Sequence, residues 1–169
     1  MKPQIEFLTY GAEVARYHTV QTLQRETVGH HSHGVAMICL VLEPNASAAL
    51  LRAALVHDLA EQHTGDIPSP AKRQYGIGRQ VDELEQKLLA EYGFAMPGLT
   101  PAEARILKLA DIAQGAMFCV REMSMGNKRM RVVFDRYMSY ASGMLLAGAE
   151  RELFSAISKI KFELDNGVC

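Results

Sequence analysis

Thr100-Pro101-Ala102-Glu103-Ala104-Arg105-Ile106-Leu107-Lys108-Leu109-Ala110-Asp111-Ile112-Ala113 is the stretch whose reading decides the fold. Threonine caps a helix amino terminus, proline fits the first helical position, where no intrahelical N–H bond is lost, and a glutamate three residues past the cap closes a capping box. A long helix therefore begins here and is predicted to run to about Met125, where Gly126-Asn127 ends it. Apolar residues recur at three- and four-residue spacing on both sides of it. The other helical windows are about Ile5 to Arg16, His30 to Leu42, Ser47 to Gln62, Gln80 to Tyr92, Lys128 to Ala147 and Glu150 to Leu164. No strand-like alternation interrupts them, so the reading is all-α, one helical bundle over residues 1–169. Thr19 to Gly29 reads as a polar loop, on the surface or lining a cleft. Thr64 to Pro70, with a glycine and two prolines, reads as loop too, and Gly148 separates the last two helices.

Composition narrows the function. Eighteen Lys+Arg against nineteen Asp+Glu, a net charge of -1, give no single-signed field to hold long nucleic acid or an anionic membrane. The longest apolar run, Gly34 to Leu42, is far short of the ~20 residues of a membrane span. The amino terminus lacks a secretion signal, so the expected location is the cytoplasm. Cys39, Cys119 and Cys169 are odd in number and widely spaced, hence free thiols.

Chemistry concentrates in five histidines, His30, His31, His33, His57 and His63, which lie on or beside two consecutive helices close to several carboxylates. His57 and Asp58 are neighbours about 100° apart on a helix, so both reach one metal only in the groove beside it, and other helices must complete the shell. Asp111 sits among Ile, Leu and Ala in the long helix. A carboxylate buried there is costly unless it is paired, hydrogen-bonded or metal-bound.

Arg16-Tyr17-His18-Thr19, Gly29-His30-His31-Ser32, His57-Asp58-Leu59-Ala60-Glu61 through Thr64-Gly65-Asp66-Ile67-Pro68-Ser69-Pro70-Ala71-Lys72, and Lys108-Leu109-Ala110-Asp111 together resemble the HD-domain phosphohydrolase superfamily. Bacterial 5'-deoxynucleotidases and the small phage dATP triphosphohydrolases are the groups most alike. The likeness covers roughly residues 14–140. It implies a helical, homo-oligomeric (dimeric or hexameric) enzyme that removes phosphate from deoxynucleotides, in the host cytoplasm if phage-encoded. Its metal ligands would be His31, His57, Asp58 and Asp111. The favoured substrate is dATP, with dADP and dAMP, giving deoxyadenosine and phosphate.

The residue chemistry agrees, because two imidazoles and two carboxylates leave positions open for water and a phosphate oxygen. Such a shell suits Co, Mn, Zn, Mg, Ni or Fe. Glu61, one turn beyond the pair, is placed to orient or deprotonate the water, and Asp66 to assist it or hold a second divalent ion. Arg16, Lys72 and Lys108 are candidates for phosphate oxygens, Tyr17 for stacking on base or sugar, and Thr19 for the base edge. Bacterial relatives carry tryptophan where Tyr17 stands, which leaves base choice open.

Blander readings stand beside these. His18, His30, His33 and His63 read as surface or supporting residues, and the methionines as core or interface filler. Asn127-Lys128-Arg129-Met130-Arg131 reads as a solvated helix start. The alternatives are a 5'-deoxynucleotidase confined to monophosphates, a silent nucleotide-binding module, a cyclic-nucleotide phosphodiesterase, or a two-iron oxygenase drawing on His30 and His63.

Overall fold

In a computed structural model that describes residues 1–167, the chain is helical, and among the described residues backbone pairing outside helices is limited to one antiparallel bridge, Ala15 to Thr27. The elements are α1 (Lys2–Ala12), α2 (Val28–Leu42), α3 (Ala48–Val56), α4 (Glu61–Thr64), α5 (Ser69–Gln74), α6 (Gly78–Glu91) and α7 (Pro101–Ser124). A 3-10 turn (Lys128–Met130), α8 (Arg131–Ser142) and α9 (Gly148–Asp165) follow. Among the described residues no helix is long and apolar enough to cross a membrane.

The capping box forms as read: Thr100 accepts from the Glu103 N–H and Glu103 accepts from the Thr100 N–H. Caps of this kind stabilise by about 1 kcal/mol. α7 is the axis of the molecule and packs against α2, α3, α8 and α9. Its Leu109, Ile112, Ala116, Cys119 and Val120 bury against Met130, Phe134, Phe154 and Ile157, while Ala110 meets Val35, Cys39, Leu50 and Ala54 from α2 and α3. A third cluster joins Phe7 of α1 to Val56, Leu59, Ala60 and Leu89. Each full burial of a large apolar side chain contributes about 1.5–3 kcal/mol, so the second cluster locks α2, α3 and α7 together, the first fixes α8 and α9 on α7, and the third fixes α1 and α6 on the end of α3.

Several boundaries differ from the sequence reading. The first helix ends at Ala12, not near Arg16, because the following backbone pairs elsewhere: Val28 N–H donates to Val14 O at 2.9 Å and Arg16 N–H to Glu26 O at 3.0 Å. That bridge also starts α2 two residues early, with Thr27 as its cap accepting from His30 N–H. The helix expected over Ser47 to Gln62 stops at Val56. Beyond it the bonds tighten to three-residue spacing, Leu59 to Val56, Glu61 to Asp58, Gln62 to Leu59 and His63 to Ala60, before α4 closes at Gly65 with φ of 69°. Ser69 and Pro70, expected in a loop, open α5. The basic run is not merely solvated, since Asn127 Nδ2 donates to Gln21 O at 2.9 Å and Arg129 to the Gln21 side chain at 3.0 Å. Cys39 and Cys119 are buried free thiols; Cys169 lies outside the described residues.

Candidate metal centre

α2 brings His31 to the groove fully buried, the tightened turn after α3 brings His57 and Asp58, and α7 brings Asp111. Donor atoms of His31, His57 and Asp58 lie within 4.8 Å of one another. They converge on Asp58 Oδ2, which is 3.5 Å from His31 Nε2 and 3.4 Å from His57 Nε2. Asp111 Oδ1 lies 3.4 Å from His31 Nε2, while its other oxygen takes an ion pair from Lys108 at 2.9 Å. That pairing turns part of the Asp111 carboxylate away, which is why it stands slightly outside the tight trio.

The two imidazoles are set alike. His57 Nδ1 lies 2.9 Å from Ala54 O and His31 Nδ1 lies 2.5 Å from Gln114 Oε1. Each acceptor calls for an Nδ1–H, which leaves the Nε2 lone pairs facing the groove. Both Nε2 atoms are buried without a hydrogen-bond partner. Buried orphan acceptors are costly, and two of them aimed at one carboxylate oxygen are a donor set that a divalent cation satisfies.

Charge follows the same logic. Burial alone would lift the Asp58 carboxyl, but His57, Arg16 and His31 overcome it and hold Asp58 below the ordinary carboxylate range. Burial works against Asp111 too, but Lys108 and the neighbouring imidazoles overcome it and drive its carboxyl well below the ordinary range. Glu61 goes the other way: burial first, then Asp58 and Asp66, push its carboxyl up to about 9. One Glu61 oxygen is buried with no partner. Asp66 is committed elsewhere, accepting from Tyr17 N–H at 3.0 Å, with His18 at 3.9 Å.

A cleft of about 590 Å³ opens from this point, and Arg16, Tyr17, Thr19, Lys72 and Lys108 all line it. Arg16 Nη1 donates to Asp58 Oδ2 at 2.7 Å, and Lys72 lies 3.7 Å from Glu85. Tyr17 adopts φ of 58°, a left-handed conformation uncommon outside glycine, and stacks on Phe118 at 4.7 Å between centroids. Of the remaining histidines, His30 and His33 are exposed and His63 stacks on Phe7 and Tyr92, so none of these joins the cluster and the extra ligands of a two-iron oxygenase are not supplied by them.

The sequence reading missed one whole wall. Val133, Arg136, Tyr137 and Tyr140 of α8 face the cleft at helical spacing, and Arg73 of α5 stands with them, its guanidinium 4.4 Å from the Tyr140 ring centre. The periodicity was visible, but such a stripe reads equally as core.

A sequence profile of the HD domain matches residues 13–122. A dATP triphosphohydrolase of Salmonella phage PMBT28 is 29% identical over 143 residues, covering 75% of this chain and 72% of the relative. Another, from cyanophage S-2L, is 26% identical over 115 residues, covering 63% and 64%. The solved S-2L HD phosphohydrolase, bound to dA and one catalytic zinc ion, superposes at a TM-score of 0.61 with 17% identity, covering 95% of this chain and 96% of that one. An HD-domain phosphohydrolase of Listeria innocua superposes at 0.70 with 19% identity, covering 97% and 85%.

Proposed function

The chain belongs to the HD domain family, and we propose that it is a divalent-metal phosphohydrolase of deoxynucleotides with dATP as its favoured substrate. The observation that carries this is the pair of orphaned Nε2 atoms converging with Asp58 at the floor of a cleft lined by cationic and aromatic side chains. His31, His57, Asp58 and Asp111 would hold the ion. When bound, it supplies a Lewis acid for a phosphoryl oxygen and a water acidic enough to react near neutral pH.

The chain's own residues do the rest. Arg16, anchored on Asp58, offers its remaining N–H groups to a phosphate oxygen. Glu61 moves a proton at its unpartnered oxygen, taking it from the attacking water or giving it to the leaving oxygen. Asp66 holds Tyr17 in its left-handed turn, and Tyr17 with Thr19 lines the nucleoside side of the cleft. Lys72 and Lys108 neutralise phosphate charge beside their acidic partners.

Two observations favour a triphosphate of deoxyadenosine over a monophosphate. Arg73 and Arg136 line the cleft, are exposed, and carry no ion pair among the described residues, as a longer phosphate chain requires. The named phage relatives are dATP triphosphohydrolases, and the S-2L structure holds dA. Exposed Met37, Leu40 and Val41 along one side of α2 support self-association.

The test is to strip the protein with chelator, add back Co, Mn, Mg or Zn, and follow dATP and dAMP by chromatography. Metal-restored release of deoxyadenosine from dATP is expected. Release from dAMP alone moves the assignment to a 5'-deoxynucleotidase, and nucleotide binding without hydrolysis under any metal moves it to a silent binding module.

A further inference from the structure

We propose that Glu26 and Gln114 are positioning residues of the metal centre, together dictating which ring nitrogen His31 presents and holding Arg16 against Asp58. Glu26 is 4% exposed and joins both sides of the site from the end of the loop that precedes α2. Its Oε1 accepts from Gln114 Nε2 at 2.8 Å, and its Oε2 lies 3.5 Å from Arg16 Nε. Gln114 reaches on to His31 Nδ1, and Arg16 reaches on to Asp58.

The logic is one of donors and acceptors. A carboxylate only accepts, so the NH2 end of Gln114 must face Glu26 and its carbonyl must face His31. A carbonyl also only accepts, so the facing ring nitrogen must carry the proton. Nδ1–H then leaves the lone pair on Nε2, the atom beside Asp58 and Asp111. Without Glu26 the amide is free to rotate, and the selection at His31 is lost.

The packing is made for this glutamine. A Cβ added at Gly34, one turn past His31 on α2, would meet Gln114 Cγ at 2.8 Å. Position 34 therefore admits the Gln114 side chain between α2 and α7 only while it has no side chain of its own.

The proposal rests on the metal reading above and not on the choice of nucleotide, so its test reads metal rather than turnover. Cobalt is titrated into chelator-stripped protein, following its visible ligand-field bands, with chelator competition for affinity. Gln114→Leu and Glu26→Gln are each expected to weaken cobalt binding about 10- to 100-fold. The exchange Glu26→Gln with Gln114→Glu rebuilds an acceptor facing His31 and a donor behind it, and is expected to recover affinity to within about three-fold of wild type.

Wild-type affinity and bands in both folded single variants overturn the proposal, as does an exchange variant no better than Glu26→Gln. Should a single variant fail to fold, zinc-loaded wild-type protein still decides: His31 Nδ1–H is expected as a slowly exchanging imidazole proton, and exchange as fast as that of exposed His30 overturns it. A wild-type protein that takes up no metal overturns this proposal and the metal reading together, whereas failure to hydrolyse dATP leaves it standing.

Discussion

The hydroxyls of Tyr17 and Tyr137 meet at 2.9 Å, joining the loop before α2 to α8 across the top of the cleft. Burial raises the pKa of both phenols, that of Tyr137 to about 12, so the contact stays a neutral hydrogen bond through the physiological range. Gly115 makes room for it, since a Cβ there would overlap the Tyr137 ring. Gly115→Ala is therefore expected to tip Tyr137 into the cleft, costing about 1–3 kcal/mol of stability and raising KM more than it lowers kcat. Steady-state kinetics and thermal unfolding of the one variant check both halves.

His57→Ala and Asp58→Asn each remove a donor from the converging trio. Activity is expected to fall by at least about 10³-fold, because several kcal/mol of charge stabilisation are lost at tenfold per 1.4 kcal/mol. Chelator treatment should mimic the substitutions in wild type, and added Co or Mn should reverse the chelator's effect but not theirs. Assays before and after dialysis against metal make the comparison.

Glu61 couples stability and activity with opposite signs. Its carboxyl, pushed up to about 9 in the folded chain, stays protonated while the unfolded chain releases its proton near the ordinary value of about 4.3. Between those values the unfolded state gains on the folded one as pH rises. Metal-free Glu61→Gln is expected to melt higher than metal-free wild type, by a margin that grows from pH 5 to pH 8. The same variant should lose about 10²- to 10⁴-fold in turnover. A melting difference that is flat with pH contradicts this account.

Glu122, fully buried on α7, grips the cleft-lining loop by accepting from Leu23 N–H at 2.7 Å, Gln24 N–H at 2.8 Å and Asn127 Nδ2 at 2.8 Å. Burial pushes its carboxyl up, and these hydrogen bonds more than offset that, leaving it below the usual range. A lowered folded-state value means stability that is complete above the unfolded value and lost as pH falls through the folded one. Glu122→Gln is expected to cost about 1.5–3 kcal/mol at pH 7, and denaturant titrations should find the gap to wild type shrinking below about pH 4.

The sequence carried the long helix almost to the residue, because Thr100, Pro101 and Glu103 act on one another within a single turn. His31, His57, Asp58 and Asp111 were named as a set only through the resemblance of their segments to the HD superfamily, and the structure brings them to one groove. What the sequence could not carry were residues whose meaning arises only when distant segments meet. Glu26 and Gln114 are 88 positions apart and look like ordinary polar residues until α7 packs on α2. Arg16 read as helical because the competing backbone bond comes from Glu26, beyond the loop. The tightening after Val56 was hidden because its residues keep near-helical backbone angles, and the cleft wall on α8 was hidden because an apolar stripe does not say which partner it faces.

The bridge between Ala15 and Thr27 has a consequence for how such a protein can diversify. It ties off the base of the excursion from Arg16 to Glu26, and the buried Glu122 grips the far side only through main-chain N–H groups. Neither restraint reads the side chains at 18 to 25. Apart from Gln21, which Arg129 holds by its side chain, and His18 beside Asp66, the letters of that stretch can change while Arg16 and Glu26 at its two ends keep their contacts with Asp58 and Gln114.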